Sequence, residues 1–135
     1  LTIFHRVMKV HEAPTFCQTG HPHGNVGFDT VKNCKFDVKG RTALIIDNQI
    51  EKVVELLKKR KVKINRAYQN NKIDAEKLNI LTVADAKGLE FETVYVYMPQ
   101  NNKVADQDIE RNKRYVAYTR ALDSLFVLSG NLDSV

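Results

Sequence analysis

The chain has 135 residues, 43% of them hydrophobic and 27% charged, a balance that excludes a disordered tail and fits one folded domain. Lys and Arg number 21 against 16 Asp and Glu, a formal charge of +5 that suits contact with a polyanion without requiring it. No apolar run approaches the roughly 20 residues of a membrane span, and no basic-then-apolar leader opens the chain, so a soluble, cytoplasmic protein is expected. Leu1 stands where an initiator Met would, the expected mark of a piece cut from something longer.

Residues 1–12 carry Leu1, Ile3, Phe4, Val7, Met8 and Val10 at the spacing of a short helix. From Glu12 to Gly40 the pattern is irregular, punctuated by Pro14, Pro22, Gly20, Gly24 and Gly27, and predicts short extended pieces and turns. Residues 1–40 are therefore expected to lead into a domain spanning 41–135. That domain opens with Ala43–Ile46, a continuous apolar run of the kind found in strands buried on both faces. Asn48 with Glu51 resembles a capping box, and Ile50, Val53, Val54 and Leu57 then recur at helical spacing, predicting an amphipathic helix to about Lys61. Val62–Tyr68 reads as a strand, Asp74–Leu78 as a helical turn, and Ile80–Val83 and Thr93–Met98 as strands, the latter stopped by Pro99. Asp106–Asp123 reads as a helix and Leu125–Leu128 as a last strand. Strands alternating with helices predict an α/β fold, a mostly parallel sheet flanked by helices with right-handed crossovers.

The positive charge gathers in two places. Lys58, Lys59, Arg60, Lys61 and Lys63 fall at the end of the first long helix, where cations complement the helix dipole. Arg111, Lys113, Arg114 and Arg120 lie in or near the second. Cys17, His21, His23 and Cys34 contain the atoms of a zinc site, but their spacing matches no usual finger pattern, and an ordinary loop is the expected reading.

In open α/β sheets, ligands gather in the loops that follow strands. Such a loop is Ala84-Asp-Ala-Lys-Gly-Leu-Glu90: Lys87 is a cation beside Gly88, whose backbone can approach a phosphate closely, and Glu90 can accept from a hydroxyl. The predicted helix over 106–123 has apolar residues on two sides and is expected to be buried between other elements. Arg120 would then need an anionic partner. A structural ion pair with Asp85 or Glu90 is the expectation on physical grounds, and a nucleotide phosphate is the alternative.

Thr82-Val-Ala-Asp-Ala-Lys-Gly-Leu-Glu-Phe-Glu-Thr-Val94 resembles motif V of the UvrD/Rep-like superfamily 1 helicases, whose pattern is Thr-x-His-x-x-Lys-Gly-Leu-Glu-Phe. Tyr115-Val-Ala-Tyr-Thr-Arg-Ala121 is similar to their motif VI, and the two stand in the family's order about 25 residues apart. The resemblance spans residues 41–130 and implies a RecA-like second motor domain. It implies that Arg120 reaches the γ-phosphate of ATP held mainly by the other motor domain. It also implies that Glu90 accepts from the ribose, that Gly88 shapes that loop, and that Thr82 and Lys87 face single-stranded DNA. Ala84 departs from the family pattern, which has His there, and Asn112, Lys113 and Arg114 replace a more apolar stretch. The short connection between the motifs is similar to the branch of helicase-like ATPases that associate with RNA polymerase, an alternative partner.

The chain contains no Gly-x4-Gly-Lys-Ser/Thr, no Asp-Glu pair and no Tyr-Arg-Ser. The phosphate cradle and the Mg²⁺ ligands of such an enzyme would therefore come from elsewhere. The resemblance implies a C-terminal motor domain that completes an ATP site and a DNA path, with ATP and Mg²⁺ bound in a longer parent and no activity in this chain by itself. A non-catalytic DNA-binding module is a further alternative.

Overall fold

The apolar run around Leu44 forms the centre of the molecule. A computed structural model describes residues 25–98, 107–130 and 132. In it β2 (Thr42–Ile46) is buried at every position. With β1 (Asn25–Thr30), β3 (Ile64–Asn65), β4 (Leu78–Leu81), β5 (Phe91–Tyr97) and β6 (Ala121–Ser129) it forms a six-stranded sheet in the order β1-β6-β5-β2-β4-β3. Every pairing is parallel. A parallel sheet needs cover on both faces, and alternation along β2 supplies two cores: Ala43 and Ile45 point into one, Leu44 and Ile46 into the other.

Helix α1 (Ile50–Lys59) covers the second face with Val53, Val54 and Leu57, the periodic residues of the sequence. Burial of each contributes about 1.5–3 kcal/mol. One-turn helices α2 (Ala67–Asn70) and α3 (Val83–Ala86), with α4 (Gln107–Tyr118), serve the first face through Ala67, Val83, Ala86, Ala117 and Tyr118. The cations of the first cluster are exposed at the end of α1, with Lys58 and Lys59 in its last turn.

Several local expectations are corrected. Helix α1 starts after Gln49 rather than at an Asn48 cap: Gln49 is the N-cap, sits at φ +62° and gives no side-chain cap. The strand expected over Val62–Tyr68 is only two residues long, because Asn65 turns its side chain to Lys72 O (2.6 Å) and Asn79 Oδ1 (2.8 Å) and α2 follows. The expected helical turn at Asp74–Leu78 is a turn held by Asp74 Oδ1, which accepts from Glu76 N at 2.9 Å, before β4 begins. Helix α4 ends at Tyr118 instead of Asp123, and β6 begins at Ala121. Nor is α4 buried between elements: Asp108, Ile109, Arg111 and Asn112 are exposed, and only its last turn reaches the core.

The irregular segment before residue 41 contributes β1, which pairs with β6 from Asn25↔Ser124 to Thr30↔Ser129. Gly27 fits there because a Cβ would meet the Phe126 ring at 2.9 Å. The helix expected over residues 1–12 lies outside the described residues. So do Cys17, His21 and His23. Cys34 is buried, its thiol pushed up to about 11 chiefly by that burial.

Candidate functional site

The two segments singled out in the sequence meet at the starts of β5 and β6. The first begins at Thr82, where β4 ends. Its hydroxyl accepts from Asp85 N (3.1 Å) and donates to Asp85 Oδ2 (2.7 Å), while Asp85 Oδ2 accepts from Thr82 N (3.3 Å). This reciprocal cap fixes the single turn of α3. Beyond it Leu89 N donates to Ala86 O, and Gly88 turns the chain at φ +81°, a conformation that favours glycine. The space beside Gly88 is open, with no atom within 4 Å of where a Cβ would stand. Lys87, Gly88 and Glu90 are exposed, whereas Leu89 is half-buried.

The second segment is the tight turn between α4 and β6. Thr119 Oγ1 donates to Val116 O at 2.9 Å and Arg120 N to Ala117 O at 3.2 Å, which closes the helix and reverses the chain. Tyr118 is buried beneath this turn, and burial raises its hydroxyl above the ordinary value of 10.0 while Arg114 opposes the rise.

Arg120 spans the two segments. Its Nε donates to Val116 O (3.1 Å), Nη1 to Leu89 O (3.4 Å) and Nη2 to Thr119 Oγ1 (3.0 Å). The expected ion pair with Asp85 or Glu90 is absent: Asp85 is committed to the Thr82 cap, Glu90 faces solvent, and every acceptor of Arg120 is neutral. A guanidinium has five N–H donors. Three are used here for orientation, and among the described residues no carboxylate neutralises the charge. The half-buried head is thus fixed in position and remains electrostatically available to an anion.

Arg120, Leu89, Gly88 and Glu90 are therefore neighbours. Thr82 lies at the opposite end of the α3 crossover, where β4 finishes. Lys113, from the second basic cluster, pairs instead with Asp47 (3.4 Å) and Glu110 (3.9 Å), tying α4 to the end of β2. Sequence reasoning missed Phe91 and Arg41. Phe91 N donates to Arg120 O at 2.9 Å, and the Arg41 guanidinium lies 5.1 Å from the centre of the Phe91 ring. The signal available was position: Arg41 immediately precedes the buried run of β2, as Glu90 precedes that of β5.

Comparison with solved structures gives a match over 98% of this chain and 86% of the other, at a TM-score of 0.62 and 23% identity. That structure is the C-terminal domain of a "possible DNA helicase" from Lactobacillus plantarum WCFS1, and at this identity the likeness is one of fold. A second, PRRSV nsp10 (helicase), is similar over 77% of this chain and 16% of its own, with 17% identity and a TM-score of 0.36, too low to carry an argument. No curated protein matches in sequence. The family model for the UvrD-like helicase C-terminal domain matches residues 40–131, which include both segments and the whole sheet except β1. The chain belongs to the UvrD-like helicase C-terminal domain family.

Proposed function

We propose that this chain is the C-terminal motor domain of an ATP-dependent DNA helicase or translocase, and that it completes an ATP site and a single-stranded DNA path whose other walls belong to an N-terminal motor domain. The observation that carries the reading is Arg120, a guanidinium oriented by three neutral acceptors and left without a carboxylate partner among the described residues. Such a head is suited to charge that develops on a transferring phosphoryl group, because its position is set before the charge appears.

The surrounding residues fit a nucleoside triphosphate. Gly88 leaves open space beside an exposed turn, and the exposed Glu90 carboxylate can accept from a ribose hydroxyl. Lys87, also exposed, and the Thr82 end of the crossover are assigned to the backbone of single-stranded DNA, where phosphate contacts dominate affinity. Mg²⁺ is assigned to the partner domain, which would carry the Gly-x4-Gly-Lys-Ser/Thr loop and the Asp-Glu pair that hold it. When bound, the ion would neutralise phosphate charge.

The 135-residue chain should show no measurable ATP hydrolysis and only weak, salt-sensitive binding to single-stranded DNA. Joined to an ATP-binding motor domain of the same family, it should support DNA-stimulated hydrolysis. Robust hydrolysis by the chain alone would contradict this reading, as would a joined protein whose turnover ignores DNA.

A further inference from the structure

At a register irregularity between β5 and β6, a second arginine rests on Phe91, on the sheet face that Arg120 also reaches. Register slips between Phe91 and Thr93, and the amides of Glu92 (2.9 Å) and Thr93 (3.2 Å) both donate to the Arg41 carbonyl. Two steps of β5, Phe91 to Thr93, face three steps of β6, Ala121 to Ser124; Phe91 and Val94 share one core although they are three apart, and Glu92 is left exposed. The fully buried Phe91 ring thereby lies on the face that carries α4 and Leu89, and the exposed Arg41 guanidinium rests on it at 5.1 Å. Arg120 reaches the same face from the other side, through Val116 and Leu89.

The two arginines flank β5. Ala121, next to Arg120, pairs with Phe91, and Thr42, next to Arg41, pairs with Thr93. Two strand spacings and a stagger of two residues separate their backbones, roughly 12 Å, a gap that two long side chains on one face can close onto a single extended anion. The Glu92 carboxylate lies over Gly40, in the space a Cβ there would fill, and forms no ion pair with Arg41. Among the described residues Arg41, like Arg120, has no carboxylate within ion-pair distance. Stacking on a ring holds a guanidinium in place without neutralising it, so the charge stays available to a ligand.

We propose that Arg41 is a second phosphate-binding cation of the Arg120 site, so that the polyphosphate of a nucleoside triphosphate is held between two guanidinia flanking Phe91. This rests on the ATP-site reading above and adds to it a residue outside both sequence motifs. A merely structural Arg41 would cover Phe91 and leave nucleotide affinity unchanged.

The test joins this chain, ¹⁵N-labelled at arginine, to an unlabelled ATP-binding motor domain of the same family and titrates it with ATP and with adenosine at low ionic strength, following the arginine Nε–Hε resonances. ATP should shift the signals of both Arg41 and Arg120, and adenosine neither. Arg41→Ala should weaken ATP binding about threefold to tenfold, the scale of one charge-assisted contact. An Arg41 signal that stays still while Arg120 shifts would overturn the proposal and leave the ATP-site reading standing. Both signals unmoved at millimolar ATP would overturn both. The wild-type resonances separate these outcomes even if Arg41→Ala does not fold.

Discussion

The amide of Phe91 donates to the carbonyl of Arg120 at 2.9 Å, joining the first residue of β5 to the last residue before β6. This one bond sets the height of the arginine against the loop that ends at Glu90. Because Arg120 Nη1 also donates to Leu89 O, the backbone and the side chain of one residue clamp both ends of a short stretch, Leu89 to Phe91. Two segments distant in sequence are thereby held as one rigid corner, and the guanidinium direction is fixed by the sheet rather than by a loop.

The Thr82 hydroxyl belongs to the cap of α3, and this sets a test that separates capping from DNA contact. Thr82→Ala should cost about 1 kcal/mol of stability in urea unfolding, and Thr82→Ser should restore most of it. If Thr82 contributes to DNA affinity only by shaping α3, the serine variant should also bind DNA as the wild type does.

Asn79 is fully buried in β4 and makes every bond an amide can. The two hydrogens of Nδ2 serve Thr42 O (2.9 Å), Asp74 O (2.8 Å) and Lys77 O (3.2 Å), one of them shared between two carbonyls, and Oδ1 accepts from Asn65 Nδ2 (2.8 Å) and Asp74 N (2.9 Å). Asn79→Leu should destabilise the domain by at least about 3 kcal/mol, because several buried partners lose their bonds at once. Asn70→Ala, at an exposed position of the same network, should cost no more than about 1 kcal/mol.

Lys61 closes α1 at φ +60°, with Val62 N donating to Leu57 O and Lys61 N to Lys58 O, the place where glycine is favoured. Lys61→Gly should stabilise the protein by roughly 0.5–1 kcal/mol, seen as a higher urea midpoint with an unchanged slope.

Burial holds the Cys34 thiol at about 11 against an ordinary 9.0, with Asp29 the next cause, and holds Tyr95 at about 12 against 10.0. Both groups keep their protons longer when folded. The stability they contribute is therefore complete below about pH 9 and is lost as pH rises through 11 and 12. Urea midpoints should be flat from about pH 7 to 9 and fall above it. In a Cys17→Ser variant the native protein should react slowly with a disulfide reagent at about pH 8, and quickly once unfolded.

Legibility followed the range of the interactions. Strands β2 and β5 and the face of α1 were readable because burial on one or two faces imposes a local period. Strand β1 was not: Asn-Val-Gly-Phe-Asp-Thr is half exposed, and its place depends on β6, about a hundred residues away. The overrun of α4 past Tyr118 has the same origin. Thr119 and Arg120 are acceptable helix residues, and the helix stops because Phe91 N donates to Arg120 O and β6 must begin at Ala121, the partner of Phe91. At the candidate site, the motifs singled out Arg120, Gly88 and Glu90. What they could not give was the partner of Arg120, because an ion pair and a cluster of neutral acceptors leave the same trace in a sequence.

The role of Arg120 is tested most directly by the DNA-stimulated ATP turnover of the joined motor protein with that residue replaced by Ala and by Lys. If the guanidinium stabilises the transferring phosphoryl group, kcat should fall about 10³-fold or more in Arg120→Ala and recover only partly in Arg120→Lys. Nucleotide affinity should fall far less than kcat, by about tenfold at most, and circular dichroism should be unchanged. Turnover within a few-fold of wild type in a folded Arg120→Ala protein would contradict that role.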